Sequence, residues 1–141
     1  MLNLPITTES VEETMRLGED LAAELVPGTV VALTGDLGTG KTHLVKGIAA
    51  GLGIDPAAVR SPTFVILQTY EEGRLPLYHF DAYRVGSEDE FVELGYEAYF
   101  FGDGVSVVEW PGRVASLLPD DALRLRLSHV SPSERRIERG D

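Results

Sequence analysis

The chain has 141 residues, 43% of them hydrophobic and 8% aromatic, about the length of one domain and an ordinary composition for a folded protein. Disorder and a spanning helix are excluded, since no stretch nears the roughly 20 apolar residues that a bilayer requires. Acidic residues outnumber basic ones 23 to 12, giving a net charge of -11; without a basic patch able to displace counterions from phosphates, independent nucleic-acid binding is not expected.

The opening Met1-Leu2-Asn3-Leu4-Pro5 has neither the basic flank nor the apolar block of a secretory signal. With no cysteine anywhere, the chain is expected in the cytoplasm. Ser10-Val11-Glu12-Glu13 has the form of a capping box, and Val11, Thr14, Leu17, Leu21 and Leu25 follow at helical spacing until Pro27-Gly28. Residues 29–34 form a continuous apolar, β-branched run, the composition of a strand covered on both faces. A second helix is predicted over 42–52, and strands over 64–70 and 77–81. Ser87-Glu88-Asp89-Glu90 repeats the capping-box pattern and opens a short helix that Gly95 stops; an aromatic cluster over 96–101 follows. A strand is predicted over 105–109. Leu123, Leu125 and Leu127 alternate with Arg124 and Arg126, which predicts an antiparallel edge strand with one wet face. The tail arginines Arg135, Arg136 and Arg139 read as solvated. Alternating strands and helices of this kind predict a single α/β domain over 1–141, a mixed sheet flanked by helices.

The most informative segment is Gly35-Asp36-Leu37-Gly38-Thr39-Gly40-Lys41-Thr42, which satisfies every fixed position of the G-x-x-x-x-G-K-[ST] phosphate loop. A buried strand before it and a helix after it supply the required setting, in which main-chain N–H groups converge on phosphate at the positive pole of a helix. Lys41 is placed to reach the β and γ phosphates, and the Thr42 hydroxyl to ligate magnesium. Hydrolysis also needs a carboxylate at a strand end. Leu77-Tyr78-His79-Phe80-Asp81 and Val105-Ser106-Val107-Val108-Glu109 both close on one, and spacing does not choose between them. His79, on an apolar strand, reads as a hydrogen-bonded interior histidine, and Trp110 as either a shield for nucleotide, a partner contact or simple packing against Pro111.

The phosphate loop, together with Ser61-Pro62-Thr63-Phe64, His79-Phe80-Asp81-Ala82-Tyr83-Arg84 and Val108-Glu109-Trp110-Pro111, resembles the TsaE (YjeE) family over nearly the whole chain. The loop is generic, whereas the other three motifs, in this order, distinguish the family. The resemblance implies a phosphate-loop ATPase fold, ATP and magnesium as cofactors, and a role in bacterial tRNA threonylcarbamoyladenosine synthesis. It also implies ATPase activity that depends on a TsaB-TsaD-like heterodimer, and the acidity of this chain argues that any tRNA contact runs largely through such partners. By likeness, Leu37, Gly38, Thr39, Gly40, Lys41 and Thr42 bind nucleotide, Thr42 and Glu109 hold magnesium, and Asp81 with Glu109 forms the catalytic pair. Ser61, Pro62 and Thr63 would make a switch-like segment. The base would lie near Val11 and Ser133. His43 departs from the threonine or serine common at that position in similar proteins.

Three function classes are consistent with this pattern: an accessory ATPase, a small-molecule kinase, and a nucleotide-gated binding module in which the two carboxylates only hold metal. The segments between strands look short for a kinase's acceptor pocket and lid. No arginine finger is legible beyond Arg60 and Arg84 by position, so slow hydrolysis by the isolated chain is expected.

Overall fold

The computed structural model describes residues 3–36, 38–60 and 66–140. Seven strands, β1 (Ile6–Thr8), β2 (Val30–Thr34), β3 (Leu67–Tyr70), β4 (Leu77–Asp81), β5 (Val105–Glu109), β6 (Leu123–His129) and β7 (Arg135–Arg139), form one sheet in the order β1-β7-β6-β2-β5-β4-β3. The middle four, β6, β2, β5 and β4, are mutually parallel. The outer pairings β1 with β7, β7 with β6, and β3 with β4 are antiparallel. The mixed α/β sheet expected from the alternation is therefore the observed fold.

Helices α1 (Val11–Ala22) and α2 (Lys41–Gly51) cover one face, enclosing Val31, Leu33, Val107, Leu125 and Ile137. The short helices α3 (Glu88–Glu93) and α4 (Tyr96–Phe100), with the 3-10 segment Pro111–Leu117, cover the other face. There Phe80, Phe91 and Phe100 pack at tilted and edge-to-face angles with centroids 5.1–6.0 Å apart, the geometry aromatic quadrupoles favour. The residues of β2 divide between the two cores, Val30 facing one and Val31 and Leu33 the other, as a strand buried on both sides requires.

Three local expectations are corrected. β6 is interior, hydrogen-bonded to β2 and β7, because its alternation reports a bare face rather than an edge: Leu125 and Leu127 are buried while Arg126 is exposed. The tail arginines lie in β7, with Arg136 and Arg139 exposed as expected and Arg135 half-buried. Ser10 Oγ does accept from the Glu13 N–H at 3.1 Å, but Ser87 stands at the start of α3 without a side-chain cap, and Val11 is exposed rather than packed.

Helices α1 and α2 cross almost backbone to backbone. A Cβ on Gly47 would fall 2.1 Å from the Met15 carbonyl oxygen, and one on Gly18 would fall 2.5 Å from that of Leu44. Glycine, unfavourable in a helix interior, is required here by the partner helix. Gly47→Ala is expected to destabilise by about 1–3 kcal/mol through overpacking, read as a lower denaturant midpoint. Gly112→Ala, which meets nothing within 4 Å, should change stability by less than about 0.5 kcal/mol.

Candidate functional site

β2 ends at the carboxyl edge of the parallel strands and gives way to the glycine loop. Gly35 has φ 154° and Gly40 φ 96°, values that favour glycine, and a Cβ at Gly35 would sit 2.7 Å from both the Leu127 carbonyl oxygen and Thr39 Oγ1. Thr39, almost fully buried, donates its hydroxyl to the Asp36 carbonyl at 2.7 Å. α2 opens on Gly40 with no side-chain cap, so its first-turn N–H groups face the loop without a side-chain acceptor. An uncapped helix N-terminus of this kind attracts an anion.

Lys41 is 6% exposed. Its ammonium donates to the Gly35 carbonyl at 2.6 Å and lies 4.0 Å from the centroid of the Trp110 ring. Burial holds its pKa below the ordinary lysine value, against the raising influence of Glu109, Asp81 and Asp36. Those opposing charges place both strand-end acids in the field of the lysine.

The register brings the acids together. Asp81 and Glu109 are direct neighbours across the β4–β5 ladder, and Glu109 pairs with Leu33 of β2 on its other side, one residue short of the strand end that leads into the loop. Glu109 is 6% exposed, and its Oε2 is 2.5 Å from Nε2 of the fully buried His79, an interior hydrogen-bonded histidine as expected. Burial raises the Asp81 pKa, and the Glu109 charge adds to this; the Tyr83 backbone N–H, donating to Asp81 Oδ1 at 2.9 Å, and the charges of His79 and Arg84 work the other way.

Thr42 follows Lys41 on the first turn of α2 and is half-buried. The Thr42 hydroxyl and the carboxylates of Asp81 and Glu109 are hard oxygen donors that suit magnesium. Among the described residues no cluster of three or more His, Cys, Asp or Glu side chains could hold a metal unaided. Magnesium bound through one or two protein oxygens, with the rest of its shell from phosphate and water, fits that donor set.

The elements carrying Val11 and Ser133 both border the loop. Thr14, in the first turn of α1, lies 3.9 Å from a Cβ built on Gly40, and Arg135, at the start of β7, donates to the Gly38 carbonyl at 3.3 Å. In the sequence Arg135 reads as a solvated tail arginine, because only the β6–β7 pairing brings it to the loop. Ser133 is exposed in the turn before it. Leu37, Ser61, Pro62 and Thr63 lie outside the described residues. A cleft of about 790 Å³ adjoins the loop on its other flank, between Trp110–Arg113 and the end of β6, with Arg126 and His129 in its wall.

These features define an α/β protein of the nucleotide-binding class, with a glycine loop, a buried lysine and paired carboxylates at one sheet edge. The family model described as threonylcarbamoyl adenosine biosynthesis protein TsaE matches residues 8–137, and the chain belongs to the TsaE family. A Bacillus subtilis (strain 168) protein named tRNA threonylcarbamoyladenosine biosynthesis protein TsaE is 44% identical over 137 residues, 97% of this chain and 85% of that protein. A protein of the same name from Treponema pallidum (strain Nichols) is 42% identical over 130 residues, 92% of this chain and 95% of its own length. The crystal structure of Bacillus subtilis YdiB matches with a TM-score of 0.82 at 39% identity, covering 99% of this chain and 86% of that one. No helix among the described residues is long and apolar enough to cross a membrane.

The raised pKa of Asp81 fixes the sign of a stability test. A carboxyl that binds its proton more tightly when folded favours the fold below the ordinary carboxylate range, and that contribution is lost as pH rises through the raised value. In metal-free buffer Asp81→Asn, which never ionises, should therefore melt a few degrees above the parent at about pH 7.5, and the gap should close by about pH 4. Thermal melts across that range check this; a parent that is the more stable at neutral pH would contradict it.

Proposed function

We propose that the chain is a magnesium-dependent ATPase of the tRNA N6-threonylcarbamoyladenosine pathway, working in the cytoplasm with a TsaB-TsaD-like heterodimer. The observation that carries this reading is the register pairing of Asp81 with Glu109 inside the field of the buried loop lysine. Family membership supports the pathway.

In this reading the loop N–H groups of Gly38, Thr39 and Gly40 and the first turn of α2 receive the phosphates, and Lys41 neutralises the β and γ oxygens. Thr42 and Glu109 would hold magnesium, which would supply positive charge to the phosphate chain. His79 fixes Glu109 through its Oε2, orienting the carboxylate that would hold the metal. Asp81 orients the attacking water and accepts its proton as the bond from the γ phosphorus to the bridging oxygen breaks, giving ADP and inorganic phosphate. A carboxylate partly withdrawn from water is a stronger base than a free one, which suits that task. Leu37 completes the loop, and Ser61, Pro62 and Thr63 act as the segment that answers to the γ phosphate. Val11 and Ser133 flank the base, on elements that border the loop through Thr14 and Arg135. A chain of charge -11 leaves tRNA to its partners.

A cation delivered in trans is worth roughly 10³–10⁵ in related phosphoryl transfers. Steady-state ATP turnover of the isolated chain is thus expected to be slow and to rise by on the order of 10³ or more with the heterodimer. Lys41→Ala should abolish tight ATP binding without unfolding. Asp81→Ala should keep ATP affinity while turnover and tRNA modification fail. A fast rate that the heterodimer leaves unchanged would refute the partner-dependent cycle, and full turnover by Asp81→Ala would reduce the carboxylates to metal holders.

A further inference from the structure

Four side chains form a continuous stack from the loop to the surface. The Lys41 ammonium lies 4.0 Å from the Trp110 ring centroid, the Trp110 and Tyr83 centroids are 5.0 Å apart with planes tilted 53°, and the Arg113 guanidinium sits 5.3 Å over the Tyr83 ring. Exposure grows along it, from 6% at Lys41 to 52% at Tyr83, and Arg113 is exposed as well. Tyr83 has a second tie to the site, because its backbone N–H donates to Asp81 Oδ1 at 2.9 Å. One exposed residue is thereby joined to the loop cation through its ring and to the sheet-edge carboxylate through its backbone.

Trp110 makes the connection at a cost. It adopts φ 58° and ψ 50°, in the left-handed region, where a non-glycine residue is rare and persists only when its surroundings over-determine it. The turn follows Glu109 directly, and in it the indole ring contacts both Lys41 and Tyr83. A triphosphate on the loop would engage the same ammonium that contacts the indole, so the nucleotide site and the Trp110–Tyr83 contact share one cation.

We propose that Tyr83 and Arg113 anchor a partner protein and that the stack carries the state of the loop to it. This rests on the ATPase cycle proposed above and names the surface through which that cycle is read. The occupant is a protein segment that lays an apolar side chain on the Tyr83 ring and pairs a carboxylate with Arg113. Tyrosine, tryptophan and arginine are the side chains on which interface energy concentrates. On a surface of net charge -11, an exposed guanidinium with no ion pair among the described residues complements an acidic group. Arg113, even with Arg126 and His129 of the adjoining cleft, makes too small a basic patch to hold a nucleic-acid backbone on a chain of net charge -11. Because coupling between sites is reciprocal, the partner shifts nucleotide affinity by the same factor that nucleotide shifts partner affinity.

The test measures binding of the full chain to the purified heterodimer of the same organism, nucleotide-free, with ADP and with a non-hydrolysable ATP analogue. Tyr83→Ala, which keeps the backbone N–H that caps on Asp81, and Arg113→Glu should each weaken docking by about tenfold or more. Tyr83→Phe should stay within about twofold. Both disruptive variants should retain the thermal midpoint and ATP affinity of the parent, and Tyr83→Ala should lose the nucleotide dependence of docking. Variants that dock like the parent overturn the surface and leave the ATPase standing. A parent that engages the heterodimer in no nucleotide state overturns both. Variants that lose ATP affinity, or that lose tRNA rather than the heterodimer, assign the stack to the nucleotide site or to RNA and equally overturn the proposal.

Discussion

Two carboxylates set side by side at the end of a parallel sheet, Glu109 buried and Asp81 half-buried, form an arrangement that does not favour folding. The β4–β5 register places Asp81 beside Glu109, and burial already raises the Asp81 pKa. What makes the pair tolerable is the counter-charge around it: the Lys41 ammonium from the loop, the His79 ring on Glu109, and the Tyr83 N–H on Asp81. None of these compensations is a full ion pair at contact distance between Lys41 and a carboxylate. Lys41 is instead held by the Gly35 carbonyl and the Trp110 ring, neutral partners that an incoming anion can outbid. The site is thus balanced for added charge, and the rest of the molecule serves to keep it so.

That service begins at the glycine contacts between α1 and α2. Their close crossing at Gly18 and Gly47 locks α2, and with it the loop lysine and threonine, against the sheet, while the first turn of α1 approaches Gly40. The sheet is covered unevenly. β2, β4 and β5 contribute to cores on both faces, whereas β6 and β7 contribute to the α1–α2 side alone. The fully enclosed strands are the ones that carry or adjoin the acids, where low dielectric strengthens every charge interaction. The half-covered strands lead to Arg135, which ties the β6–β7 hairpin to the loop through Gly38.

Much of this was legible in the residues themselves. The apolar β-branched run before the glycines, the full loop pattern and the acid-ended strands each report a local requirement, so the mixed sheet and the loop, lysine and acid positions could be read directly. Relations between distant segments could not. The interior place of β6 was missed because the alternation of Arg124 and Arg126 records solvent on one face and says nothing of hydrogen bonding at the strand's edges. Arg135 reads as solvated because a charged residue near a chain end gives no local sign that an antiparallel partner will carry it to a loop 97 residues away. Gly18 and Gly47 look like poor helix choices until the opposing carbonyls are in view. Trp110 stayed ambiguous because its role follows from a left-handed turn that tryptophan does not announce.

The most direct measurement is a crystal structure of the protein with magnesium and a non-hydrolysable ATP analogue. It should return the triphosphate on the loop N–H groups, Lys41 on the β and γ oxygens, the metal on Thr42 and Glu109, and Asp81 facing the γ phosphorus across a water. A nucleotide seated away from the loop, or a triphosphate in the loop with Asp81 and Glu109 both turned from it, would contradict the account.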